Sequence, residues 1–169
     1  MKVNFQASIG AATGMSPMCK HACGTIRKME MIKNIPGADG FYMPGEFEPH
    51  RGTIMIWPER PGSWPFGAEA ARKAFAEIIK VIAEGEEVFV AVSDKNRISA
   101  ERALFGIKNV NLILAETDDA WARDIAPTFV KNSYGDVRAV NWDFNAWGGT
   151  FNGLYASWEK DDRRGKRDY

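Results

Sequence analysis

Val88, Phe89, Val90, Ala91 and Val92 form an unbroken apolar run in which four of the five side chains are β-branched or aromatic. Such residues suit a pleated, buried surface, and a run this short is a strand rather than a helix. Immediately upstream the period changes. Ala71, Phe75, Ile78, Ile79 and Ile82 fall at i, i+4, i+7, i+8 and i+11, which is one apolar stripe of a helix. Gly85 is placed to end that helix as a C′ residue. Before the helix, a Gly- and Pro-rich stretch over 40–49 leads into Thr53, Ile54, Met55, Ile56 and Trp57, a buried strand closed by Pro58, and 58–67 is rich in turn formers. Downstream, 96–105 reads as a shorter helix stopped by Gly106, and 110–115 as a third strand. The segments 125–130 and 137–142 are further strand candidates. Between them, Asn132, Ser133, Tyr134, Gly135 and Asp136 have the composition of a tight reversal, so the pair is expected to form a hairpin. Strand, helix, strand, helix, strand and hairpin in this order make the fold α/β. Pattern alone leaves the topology open.

The chain has 169 residues, 45% of them hydrophobic, enough for one real core and hence one folded unit. Lys plus Arg (22) equals Asp plus Glu (22), so no global field draws the protein to nucleic acid or to an anionic membrane. No apolar run approaches the roughly 20 residues that span a bilayer, and the N-terminus lacks an apolar signal region. A cytoplasmic protein that binds neither membrane nor nucleic acid is expected. Cys19 and Cys23 are the only cysteines, so no disulfide framework holds the fold, in keeping with a reducing compartment.

Residues 1–38 carry neither helical nor strand periodicity and read as a loose N-terminal extension. Cys19, His21 and Cys23 within it do not have a standard zinc spacing, so no metal is expected. After Trp158 basic and acidic side chains nearly cancel and no apolar spacing holds a helix down, so this end, and 163–169 in particular, is expected to be a solvated tail.

Two segments depart from ordinary strand and turn grammar. The first is Asp118, Asp119, Ala120, Trp121, Ala122, Arg123 and Asp124, just after the third strand. Strand-end loops are where α/β folds hold binding groups. A carboxylate can accept two parallel N–H bonds from a guanidinium, and an indole can cover a cation or an aliphatic stem. The alternative is internal: Arg123 pairing with Asp119 or Asp118, Asp124 capping a turn, and Trp121 in the core. The second segment is Asn141, Trp142, Asp143, Phe144, Asn145, Ala146, Trp147, Gly148 and Gly149. It either lines a pocket or makes an aromatic hairpin end closed by Asx turns. Residue types alone leave both choices open.

The opening run Gly40, Phe41, Tyr42, Met43, Pro44, Gly45, Glu46, Phe47, Glu48, Pro49, His50, with the strand to Trp57 and Pro58, resembles the start of agmatine deiminases of the peptidyl-arginine deiminase superfamily. The run 118–124 is similar to that family's Asp-Asp-x-Trp-x-Arg-Asp motif. The run 143–149 is similar to its Phe-Asn-Ala-Trp-Gly-Gly motif, with Gly153, Leu154 and Tyr155 following. The resemblance covers about residues 39–162, the N-terminal part of such a domain. It implies a partial pentein-type α/β propeller of repeating ββαβ-type units, truncated. It also implies a small-molecule guanidino substrate such as agmatine, no cofactor, and attack of a Cys on the guanidinium carbon to give a thiouronium that water hydrolyses. Asp124 then matches the carboxylate that grips the guanidinium, and Trp121 the ring over the aliphatic chain. Asn145 and Trp147 fall at the pocket rim, while Asp119 and Arg123 support the loop, Arg123 by pairing with a neighbouring carboxylate.

The family's nucleophilic Cys lies in a Gly-Gly-Asn-x-His-Cys context, and its general acid/base His in mid-chain; neither matches a residue here. Cys19 and Cys23 lie upstream of the matching region, and His50 suits capping or packing. No residue of this chain is therefore assigned a catalytic role, and a truncated chain without turnover is expected. The faces that such a truncation uncovers would favour self-association. The competing reading is a non-catalytic guanidine-binding or partner-binding fragment.

Overall fold

The computed structural model describes residues 34–148 and 158–162. Residues 1–33, with Cys19, His21 and Cys23, lie outside the described residues, as do 149–157 and the tail 163–169. The chain forms two compact units. In the larger, which contains Glu46–Ala126 and continues from Asp143, β1 (Gly52–Ile56), α1 (Glu69–Ile82), β2 (Glu87–Val92), α2 (Arg97–Ala103) and β3 (Val110–Leu114) follow in order. The strands pair in parallel in the order β1-β2-β3, with Ile54 opposite Phe89 and Phe89 opposite Asn111. Parallel neighbours require crossover connections, which α1 and α2 supply. The expected α/β character is what this unit has.

Strand alternation sorts the core. Val88, Val90 and Val92 pack with Trp57, Ile79, Ala83, Ala100 and Leu104, while Ala91, facing the other way, packs with Ile56 and Ile125. The sheet is thus covered by α1 and α2 on one face and by the chain around Ile125 on the other. Gly52 is required by close approach: a Cβ there would overlap the Glu87 carbonyl oxygen. In α1 the buried stripe is narrower than the periodicity suggested, because Ile79 is buried but Ile78 is 48% exposed. The end of α1 also differs. Ala83 caps it, donating its N–H to the Ile79 carbonyl, and Gly85 is not left-handed. The left-handed glycine is Gly106 (φ 79°), just beyond α2.

The strand exits are stitched together by side chains. Glu59 accepts from the Ser93 N–H at 2.8 Å and from Asn96 Nδ2 at 2.9 Å. Arg72 donates to the Pro58 carbonyl at 3.0 Å and to Asn96 Oδ1 at 3.1 Å. A charged side chain sealing backbone groups in this way fixes the ends of β1 and β2 relative to each other.

The smaller unit holds Pro127–Trp142 and the residues before Glu46. Here β4 (Thr128–Lys131) and β5 (Val137–Val140) form the expected antiparallel hairpin. Asn132 Oδ1 accepts from the Tyr134 and Asp136 N–H groups at 3.0 and 2.9 Å, and Gly135 supplies the left-handed residue (φ 86°). Phe41, Val130 and Val140 make its core, and Arg138 lies 3.9 Å from the Phe41 ring centroid while bonding Asp39 at 2.6 Å. The strand expected over 125–130 starts only at Thr128. Ile125 instead ends a helical turn, α3 (Ala122–Ile125), where burial against Ile56 and Ala91 holds it, and Pro127 keeps Ala126 extended.

Candidate functional site

The loop that leaves β3 is held by its own carboxylates. Asp118 donates its N–H to Asp161 Oδ1 at 2.8 Å, and its Oδ2 accepts the Lys160 N–H at 2.9 Å. Asp161 is buried, in the turn α4 (Glu159–Asp162). Asp161 is therefore held within the charge run expected to be solvated, reciprocal capping standing in for an apolar stripe, while Lys160 is exposed. Asp119 is buried as well, its Oδ2 accepting from Ser63 Oγ at 3.0 Å and its Oδ1 from the Ala120 N–H at 2.8 Å.

With those two carboxylates engaged, Arg123 reaches elsewhere. Its Nη2 donates to Glu46 Oε1 at 2.7 Å rather than to Asp118 or Asp119. Both side chains are exposed. The bond to Arg123, then its charge, lowers the Glu46 pKa; reciprocally, the bond to Glu46, its charge and, last, the charge of Asp124 raise that of Arg123.

Ile125, pinned under the sheet, places the rest of α3. Asp124 is half-buried beside it, and Trp121 stands at the start of the turn, 52% exposed. The second motif comes back to this point. Phe144 packs into the Ile125 cluster, and Ala146 and Trp147 take left-handed backbone (φ 52° and 56°). Each such non-glycine residue costs on the order of 1–3 kcal/mol, so surrounding contacts must hold it. The conformation aims Trp147 Nε1 at Asp124 Oδ1, 3.1 Å away. The Trp147 ring meets Phe144 edge-to-face at 5.3 Å and Trp121 at 6.2 Å between centroids. Trp121, Asp124 and Trp147 are therefore in one cluster. Asn145 is exposed on the same turn. Trp142 belongs to the hairpin, donating from Nε1 to Thr128 Oγ1 at 2.9 Å.

A carboxylate clustered with partly exposed indoles can take a flat organic cation, the charge meeting the oxygens and the stem lying along a ring. Among the described residues no group of three or more His, Cys, Asp or Glu side chains is arranged to hold a metal. Nor is any helix among them long and apolar enough to cross a membrane. His50 pairs with Glu86 through Nε2.

Residues 42–167, which include this cluster, match the family described as Porphyromonas-type peptidyl-arginine deiminase. The chain belongs to that family. Within it, the chain is 48% identical over 135 residues to the agmatine deiminase of Ectopseudomonas mendocina, covering 80% of this chain and 36% of that protein. The structure of the Enterococcus faecalis agmatine deiminase superposes with a TM-score of 0.72 at 41% identity, covering 78% of this chain and 35% of that one. The C. jejuni agmatine deiminase, 23% identical, covers 75% of this chain and 36% of its own at a TM-score of 0.59, a likeness of fold. This peptidyl-arginine deiminase family member spans little more than a third of the length of the curated relatives it matches.

Three partners in the site of this family member escaped the sequence reading. Glu46 carried a signal, since it sits in the opening motif, but nothing marked it as the partner of Arg123. Phe144 looked like one more aromatic of its segment, and only the packed Ile125 cluster shows it wedging Trp147. Asp161 was hidden in an apparently solvated charge run.

Proposed function

We propose that this chain supplies the guanidinium-gripping part of an agmatine deiminase, which hydrolyses a guanidino C–N bond and converts agmatine and water to N-carbamoylputrescine and ammonia. The observation that carries the reading is the Asp124 carboxylate, bonded by Trp147 Nε1, whose ring in turn meets the half-exposed Trp121. In this reading Asp124 accepts the guanidinium N–H groups and Trp121 lies along the aliphatic chain, with Asn145 and Trp147 at the rim. Asp119 and Arg123 stabilise the loop. Residues 39–162 form the N-terminal part of a pentein-type propeller of ββαβ-type units. A thiolate from outside this stretch attacks the guanidinium carbon, ammonia departs after protonation, and water hydrolyses the thiouronium to the ureido product. Binding without turnover is the behaviour proposed for the 169-residue chain itself, because the cluster offers a carboxylate and indoles but no thiol.

Calorimetric titration with agmatine, run beside an ammonia assay, tests this. Wild-type chain should bind and release no ammonia, and Asp124→Ala should not bind. Equal binding by both proteins, or ammonia above the blank, would overturn the proposal.

A further inference from the structure

Trp147 is about half exposed, but its backbone is not relaxed. It follows another left-handed residue, the buried Ala146, and its own φ and ψ are 56° and 38°. An alanine and a tryptophan adopt this region only when their surroundings over-determine it. Here the surroundings are identifiable. Phe144, itself packed in the Ile125 cluster, meets the Trp147 ring edge-to-face at 86°, and Trp121 meets it at 88°. Rotation of the indole is opposed on two sides, and the one polar atom of the ring ends 3.1 Å from Asp124 Oδ1.

We infer that Trp147 is a positioning residue: its indole N–H locks the Asp124 carboxylate in a single rotamer, so that the carboxylate is pre-oriented for a flat cation before any arrives. This rests on the proposed role of Asp124 in guanidinium binding. An Asp carboxylate on a short helical turn is otherwise free to hop between staggered χ1 wells. A ligand would then have to supply the ordering entropy itself. A donor fixed by two aromatic contacts removes that freedom, and it leaves the carboxylate's charge intact because an indole is neutral and donates only. The strained backbone thus has a purpose in the site: with relaxed Ala146 and Trp147 the ring would leave Asp124.

The test begins without ligand. Three-bond couplings from the backbone nitrogen and carbonyl carbon to Cγ report the χ1 populations of each Asp in labelled full-length chain. Wild-type Asp124 should give single-rotamer values. Replacing Trp147 with phenylalanine, or with β-(3-benzothienyl)alanine, which keeps a two-ring system and lacks the N–H, should average them while Asp119 stays fixed. Averaged couplings for Asp124 in the wild type overturn the inference, whether or not either variant folds; so do single-rotamer couplings in a folded variant. Agmatine and N-carbamoylputrescine are then titrated into the same proteins. The variants should bind agmatine roughly tenfold more weakly, as loss of a bond to a charged group predicts. Binding of the ureido compound should change less, whereas an equal loss for both ligands would indicate packing alone and sink the positioning role. If the wild type shows locked couplings but no agmatine binding, it is the guanidinium reading that fails, and the carboxylate is locked for some other reason.

Discussion

Arg123 and Glu46 are 77 positions apart in sequence and joined by a 2.7 Å bond between Nη2 and Oε1. The bond holds the opening loop, where Glu46 sits, to the α3 turn that carries Asp124. Arg123 depresses the Glu46 pKa below its ordinary 4.5, by hydrogen bonding first and charge second. A group whose folded pKa is depressed adds stability above its unfolded value, and that stability is lost as the pH falls through the folded value. Both side chains are exposed, so the gain is small and screened by salt. Glu46→Gln should therefore melt slightly below wild type at pH 7 in low salt, and the two should converge as the pH falls through the depressed Glu46 value, or in 1 M salt. A difference that ignored both pH and salt would point to packing instead.

Asp161→Ala should destabilise the larger unit by about 1–2 kcal/mol, since it strips a buried acceptor from the Asp118 N–H. Urea midpoints read this directly. An unchanged midpoint would mean that α4 does not anchor the loop.

Gly52→Ala places a methyl group against the Glu87 backbone, which cannot move without breaking the β1–β2 register. A loss of about 1–3 kcal/mol or more is expected, as for overpacking. Ile79→Ala, which empties a fully buried position, should cost about 2–5 kcal/mol. If Gly52→Ala proved neutral in denaturant melts, the close approach of the two strands would be disproved.

Trp121→Ala should weaken agmatine binding roughly threefold, the scale of a partly exposed cation–aromatic contact. Asp124→Ala should remove binding. Calorimetry ranks the two, and a larger loss from Trp121 than from Asp124 would reverse the roles given to them.

The three-stranded sheet leaves β3 as an edge among the described residues, with Ile113 and Leu114 about half exposed. Apolar edges invite strand addition. The chain is expected to self-associate, and Ile113→Lys to reduce it, in sedimentation velocity runs over a range of concentrations. Association that was equally strong in the variant would place the contact elsewhere.

The strands were legible from short apolar runs rich in β-branched residues and the main helix from its apolar stripe; in the fold, Val88, Val90 and Val92 then face one way and Ala91 the other. The hairpin was legible from Asn132 and Gly135, whose turn chemistry is local. The end of α1 misled, since a glycine near a helix end need not be its left-handed residue. So did Ile125, whose apolar character fits a strand as well as a helical turn tucked under a sheet. In the site, residue types left the roles of Trp121, Asp124 and Trp147 open, and only the likeness of their segments to family motifs singled them out. Their mutual contact did not, because it depends on the left-handed backbone at Ala146 and Trp147, which no propensity predicts for those side chains. The pairing of Arg123 was unreadable for a different reason. Which carboxylate it takes is decided by which ones Ser63, Ala120 and Lys160 have already occupied.

The β4–β5 hairpin also bears on how cheaply Asp124 and Trp147 find each other. They lie 23 residues apart, a span whose ends must be brought together against chain entropy. Pairing of Thr128 with Val140 closes most of that span in advance, leaving only the short flanks to be ordered. In polymer terms the hairpin is a zipper that turns a long loop into two short ones. Residues added at its tip, around Tyr134 and Gly135, lengthen the chain without lengthening the loop that the site has to close.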